Sequence, residues 1–112
     1  MAVKKTIKAW TAGIIDGEGY VGLVNRKGRK KKQPTVDVFN TNMLILNRLK
    51  ENFGGYLYLN KRPSRPNSKP CWQWTLKGRK CVVFLNKIKP FLCGKLDKAE
   101  MVIKYGEYLL NS

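Results

Sequence analysis

The sequence predicts an α+β fold, in the order helix, hairpin, helix, hairpin, helices, with a curved antiparallel sheet covered by helices on one face. Three observations lead there. Apolar residues recur at helical spacing before the first glycine cluster, alternating residues of period two follow in pairs of short segments, and glycine pairs or basic turn-forming runs separate the segments. With 112 residues, 43% of them hydrophobic and 11% aromatic, the chain can build one core. No linker or low-complexity segment divides it, so residues 1–112 read as a single domain.

Taken in order, Ile7, Trp10, Gly13 and Ile14 define a first helix over residues 5–17, which Gly17 and Gly19 stop. Tyr20 to Arg26 reads as a strand, RKGRKKKQP as a basic loop, and Thr35 to Phe39 as a second strand with Val36 and Val38 on one side. The two make a hairpin. Asn40, Thr41 and Asn42 are N-cap candidates for a second helix carrying Leu46, Leu49 and Phe53, terminated by Gly54 and Gly55. A second hairpin pairs Tyr56 to Arg62 with Cys71 to Leu76 across the loop PSRPNSKP. Helices over Gly78 to Ile88 and Lys95 to Leu110 follow, parted by Pro90.

Charge narrows the partner. Twenty-three Lys and Arg against seven acids give +16 and a pI near 10.1, and such a surface gains free energy by releasing counterions from a phosphate backbone. Nucleic acid is the expected partner. No apolar run approaches the roughly 20 residues that span a bilayer, and MAVKKTIKAW lacks the apolar core of a signal peptide. A soluble, intracellular protein with no membrane partner is therefore expected.

Cys71, Cys81 and Cys93 are odd in number and widely spaced, and there is no His. Neither a disulfide framework nor a zinc site is indicated, and three buried reduced thiols are expected. Without His, a His-based triad or a His-activated water cannot operate. Carboxylates with a divalent metal remain as the plausible hydrolytic chemistry.

Two of the seven acids, Asp16 and Glu18, stand together at the glycine-rich end of the first helix, in WTAGIIDGEGYV. The sheet supplies a second candidate surface. If Val36, Val38, Leu57, Leu59, Trp72 and Trp74 face the helices, period two places Gln33, Thr35, Asp37, Tyr56, Tyr58, Asn60, Arg62, Gln73, Thr75 and Lys77 on the other face. Such side chains can read base edges from a ribbon laid in the major groove, although any wet sheet face is polar. The loops that carry Arg26, Arg29, Lys30, Lys31 and Lys32, and Lys61 to Lys69, would flank that face with charge suited to phosphates.

Thr11-Ala12-Gly13-Ile14-Ile15-Asp16-Gly17-Glu18-Gly19 resembles the nine-residue motif of the LAGLIDADG homing endonucleases in its GEG form. The helix-hairpin order matches that fold over nearly the whole chain. Asn40-Thr41-Asn42 ahead of Phe53-Gly54-Gly55, and Lys89-Pro90-Phe91-Leu92 ahead of Gly94-Lys95 and Lys98-Ala99-Glu100, resemble patterns that follow the signature in the family. The resemblance implies a site-specific double-strand DNA endonuclease, acting as a homodimer joined through the first helix, with Mg²⁺ as cofactor and a long, roughly palindromic target.

Elementary chemistry agrees. Ala12, Gly13 and Gly17 are small enough for two helices to approach, and this would bring two copies of Glu18 together beside the negative ends of two helix dipoles, where a divalent cation relieves the repulsion. By the resemblance Glu18 is the metal-binding acid, Lys95 a basic residue near the scissile phosphate, Asn40 an organiser of water, and Asp16, Gly13 and Gly17 structural parts of the motif. Met43, Leu44 and Ile45 stand where the family often has a further basic residue, and Arg48 comes one turn late. A non-cleaving binder of the same fold, an RNA maturase or a DNA-binding regulator, is the alternative reading. As surface lysine and helix cap, Lys95 and Asn40 also have ordinary structural explanations.

Overall fold

The computed structural model describes residues 3–25, 28, 31–60 and 71–110. Helix α1 spans Lys5–Glu18 and runs directly into strand β1, Gly19–Asn25; β2 is Lys32–Asn40, α2 Met43–Phe53, β3 Tyr56–Asn60, β4 Cys71–Lys77, α3 Arg79–Ile88 and α4 Leu96–Leu110. A 3₁₀ turn at Lys89–Phe91 links the last two helices, with Pro90 in its first turn. Residues 26, 27, 29, 30 and 61–70, which include Arg26, Arg29, Lys30 and Arg62, lie outside the described set.

Among the described residues the sheet has the order β1-β2-β4-β3, antiparallel throughout. The two hairpins join through their second strands, from Thr35 opposite Lys77 to Asn40 opposite Trp72. One face is dry: Val21, Val36, Val38, Trp74 and Leu76 pack with Ala12, Ile15, Leu46, Leu49, Phe84, Leu85 and Val102 from all four helices. Trp74, fully buried, donates its indole N–H to the Gly54 carbonyl at 2.8 Å and meets the Phe84 ring edge-on. Its polar atom is thus satisfied inside the core, and the turn after α2 is tied to the sheet.

Two glycines set close approaches. Gly55 has φ +97°, and a Cβ there would lie 2.7 Å from the Thr75 carbonyl oxygen, so a larger residue would be both strained and obstructed. At Gly106 a Cβ would overlap Val82 Cγ2. Helix α4 can therefore lie against α3 only because that position has no side chain.

Strand β2 begins at Lys32, three residues earlier than the alternation of Val36 and Val38 predicts. Pro34 obscured this. Its carbonyl accepts from Gly78 N–H at 2.8 Å beyond the last β2–β4 pair, Thr35 with Lys77, so the N–H that proline lacks would have pointed past the end of the ladder. At the second helix Asn42 is the cap, accepting from Leu44 N–H at 3.0 Å. Cys71 and Cys81 are buried thiols, but Cys93 is exposed, contrary to expectation, because it lies in the turn before α4. Burial, with a smaller effect from the Asp37 charge, pushes the Cys81 thiol up to about 12. Thiolate chemistry at neutral pH is thereby suppressed at Cys81.

Candidate active site and nucleic-acid interface

Helix α1 ends where β1 starts, so Glu18 sits at the end of the sheet and is exposed. Asn40, the last residue of β2, joins it: its Nδ2 donates to Glu18 Oε2 at 2.8 Å, and its Oδ1 accepts from Asn42 N–H at 2.8 Å. The amide is oriented from both ends. Asn40 thereby couples the first turn of α2 to the Glu18 carboxylate.

Asp16 points the other way. One of its oxygens accepts from Cys93 N–H at 2.8 Å and the other from Lys95 N–H at 2.9 Å. Lys95 reciprocates, its ammonium donating to the carbonyls of Ile15 at 2.9 Å and Asp16 at 3.1 Å. A cation is well placed there, since these carbonyls carry the negative end of the helix dipole, the Ile15 oxygen accepting from the Gly19 N–H as well. Lys95 is thus brought to the site, and in this arrangement its charge serves the helix end. Asp16, with both oxygens taken up by backbone amides, is a clamp between α1 and the turn before α4.

Asp16→Ala should accordingly lower stability by about 2 kcal/mol, because two charge-assisted hydrogen bonds to backbone are removed from a partly exposed place. For a domain of this size that is a fall in Tm of roughly 10 °C. Differential scanning calorimetry checks it; an unchanged Tm would show that the clamp does not hold the helix end.

Gly13 and Gly17 lie exposed on α1, and a Cβ at either would meet nothing within 4 Å. No packing against the described residues explains these glycines. Gly13 and Gly17 face outward, adjoining the half-buried Trp10 and Ile14, whereas Ala12, expected beside them, is fully buried in the core because its position on the helix turns it toward the sheet; the Arg48 guanidinium stacks 5.5 Å from the Trp10 ring centroid. Arg48 is therefore engaged with α1.

The open face of the sheet carries most of the expected side chains. Register places Tyr20, Val24, Gln33, Asp37, Phe39, Tyr56, Tyr58, Gln73 and Lys77 on it. Asn60 pairs with Cys71 at the end of β3. Tyr20, Val24 and Phe39 were missed from sequence; the alternation of β1 and the pairing of Tyr20 with Asp37 reveal them once the register is known. Thr35 and Thr75, each 2% exposed, lie beneath this surface, their hydroxyls donating to the Gln33 and Val36 carbonyls. They shape its floor. Gln73 is 9% exposed and donates to Asp37 Oδ1 at 3.1 Å. Tyr58 has its pKa raised, first by burial and then by the Asp37 charge, with the Gln73 hydrogen bond acting in the opposite sense. Beyond Lys31 and Lys32, both exposed at the start of β2, the basic-loop residues named from sequence lie outside the described residues.

Glu18 and Asn40 offer hard oxygen donors of the kind Mg²⁺ takes. Among the described residues no three acidic or other metal-ligating side chains converge. With Asp16 committed to backbone amides, Glu18 is the carboxylate that one chain presents at this end of α1.

This architecture, two hairpins in one four-stranded antiparallel sheet with a helix ending in an acid at its edge, is the fold of the LAGLIDADG homing endonucleases. The chain is similar to the homing endonuclease I-CvuI in complex with its target, with a TM-score of 0.75 and 24% identity over 93% of this chain and 68% of that one. It is similar also to the archaeal intron-encoded homing endonuclease I-Vdi141I complexed with DNA, with a TM-score of 0.74 and 21% identity over 94% and 69%. Against the meganuclease I-SmaMI bound to uncleaveable DNA the TM-score is 0.73, and the chain covers only 37% of that longer protein. No family model matches the chain, and no curated protein matches it.

Proposed function

We propose that the chain is a metal-dependent, site-specific DNA endonuclease that acts as a homodimer. The observation that carries this reading is the placement of Glu18: exposed at the end of α1, held by Asn40, beside an open sheet face of aromatic and polar side chains, on a helix whose outward glycines leave room for a second copy. The similar structures of homing endonucleases on DNA support it.

Two such helices packed along Gly13 and Gly17 would set the two Glu18 carboxylates side by side. Mg²⁺ bound by them would lower the pKa of an attacking water and stabilise the leaving 3′ oxygen. The chain's own residues supply the rest. Asn40 fixes the Glu18 carboxylate through one of its two oxygens. Lys95 and Asp16 hold the helix end that carries it. Gln33, Asp37, Tyr56, Tyr58 and Lys77 on the open face meet base edges or sugar-phosphate, which sets where the duplex is cut.

Selection of duplexes from a randomised pool, followed by incubation of the recovered target with Mg²⁺ or EDTA, tests it. A defined target cut on both strands only with metal is the expected result. Recovery of a target that stays intact in Mg²⁺ would leave a binder of the same fold, and no enrichment of any duplex would remove base reading altogether.

A further inference from the structure

At the end of the sheet away from Glu18, the open face runs into a cavity of about 680 Å³. Asn25 and Gln33 line it from the first hairpin, Tyr56 from β3, and Lys77, Arg79 and Lys80 from the end of β4 and the start of α3. Gly78 makes this convergence possible. With φ +66° it reverses the chain between strand and helix, so that Lys77 and the pair Arg79 and Lys80 are brought to one place instead of being spread along a continuing strand. Among the described residues no carboxylate lines the cavity. Three cations therefore meet without an acid, while amide and phenol groups add neutral donors.

We propose that Lys77, Arg79 and Lys80 form a phosphate clamp for the outer end of the bound duplex, at the outer margin of the open face and apart from the metal site. It rests on the duplex-binding reading above. A phosphodiester is the group that suits it: an anion with several acceptor oxygens, which Arg can meet with two parallel donors and Lys as a point charge. Position gives the register. Glu18 precedes the first residue of β1 and Asn25, the last, lines the cavity, so the two sites are separated by the seven residues of that strand. At about 3.3 Å per residue the span is roughly 23 Å, or about seven base pairs of B-form duplex. The clamp thus grips the backbone about seven base pairs out from the cut, where it anchors the half-site and carries no sequence information.

The test uses the intact protein and the duplex recovered by selection, in two lengths. One is the full target; the other is shortened to about five base pairs on each side of its centre, so that it ends before the clamp. Arg79→Gln with Lys80→Gln should weaken binding to the full target at least tenfold. The salt slope should fall by about one for each phosphate that the variant no longer neutralises. On the shortened duplex the same variant should bind as the wild type does, and base preference should be unchanged on both. Both residues are exposed, and an unchanged Tm will show that the fold is intact. Equal weakening on the two lengths, or none on the full target, overturns the clamp while duplex binding stands. A wild type that discriminates no duplex overturns the reading on which it rests, and the clamp with it.

Discussion

Glu18→Gln is expected to reduce cleavage by a thousandfold or more, roughly 4 kcal/mol in the barrier, while duplex affinity stays within about tenfold. The substitution keeps the shape of the side chain and an oxygen that can accept from Asn40 Nδ2, as Glu18 Oε2 does now at 2.8 Å. It removes the negative charge. Affinity should hardly move, because Glu18 lies at the edge of the sheet and none of the open-face side chains depends on it. Single-turnover cleavage in Mg²⁺, with binding measured in EDTA, separates the two effects. Equal cutting by variant and wild type would take Glu18 out of the chemistry.

Gly13→Leu should separate the protomers without harming the chain. A Cβ at Gly13 meets nothing within 4 Å, and the position is exposed, so in an isolated chain the new side chain enters open space. Replacing a mid-helix glycine should even favour α1 by about 1 kcal/mol. Where two such helices pack backbone to backbone, the same isobutyl group has no room. The expected outcome is a folded monomer of undiminished Tm that neither dimerises nor cuts. Analytical ultracentrifugation decides, and a wild type that is monomeric both free and on its duplex would refute the homodimer.

The elements were legible in the sequence wherever local chemistry dictates them. Gly19 ends α1, although Gly17, expected to stop it, is still helical; Gly54 and Gly55 end α2, and period two in β4 sorts Trp72 and Trp74 from Gln73 and Thr75. Pairing was less legible, since it depends on residues far apart in the chain. Lys32 and Gln33 looked like loop because their strand partners in β1 are not recognisable from basic residues beside a proline. The same limit explains why Phe39 and Tyr20 were missed on the open face, and why Thr35 and Thr75 are buried beneath it. At the site, Asp16, Glu18 and Asn40 were visible as residue types in a motif. That Asn40 holds Glu18, and that Lys95 caps the helix bearing it, follows only from how β2 and the turn before α4 come back to α1. Arg79 and Lys80 drew no attention because two cations opening a helix look like ordinary solvated surface.

The clamp between Asp16 and the amides of Cys93 and Lys95 spans 77 and 79 residues of sequence. Interactions so distant in the chain form late, because closing a long loop costs entropy before the bond repays it, whereas each hairpin closes locally. During synthesis α1 is made well before the residues that secure its end. A growing chain can have both hairpins in place and still lack the clamp on the helix end that bears Glu18. Catalytic competence would then wait for the turn at residues 93–95, and shorter products would bind nucleic acid before they could cut it. In refolding monitored by pulsed hydrogen exchange, the amides of residues 93 and 95 should gain protection after those of the β1–β2 ladder.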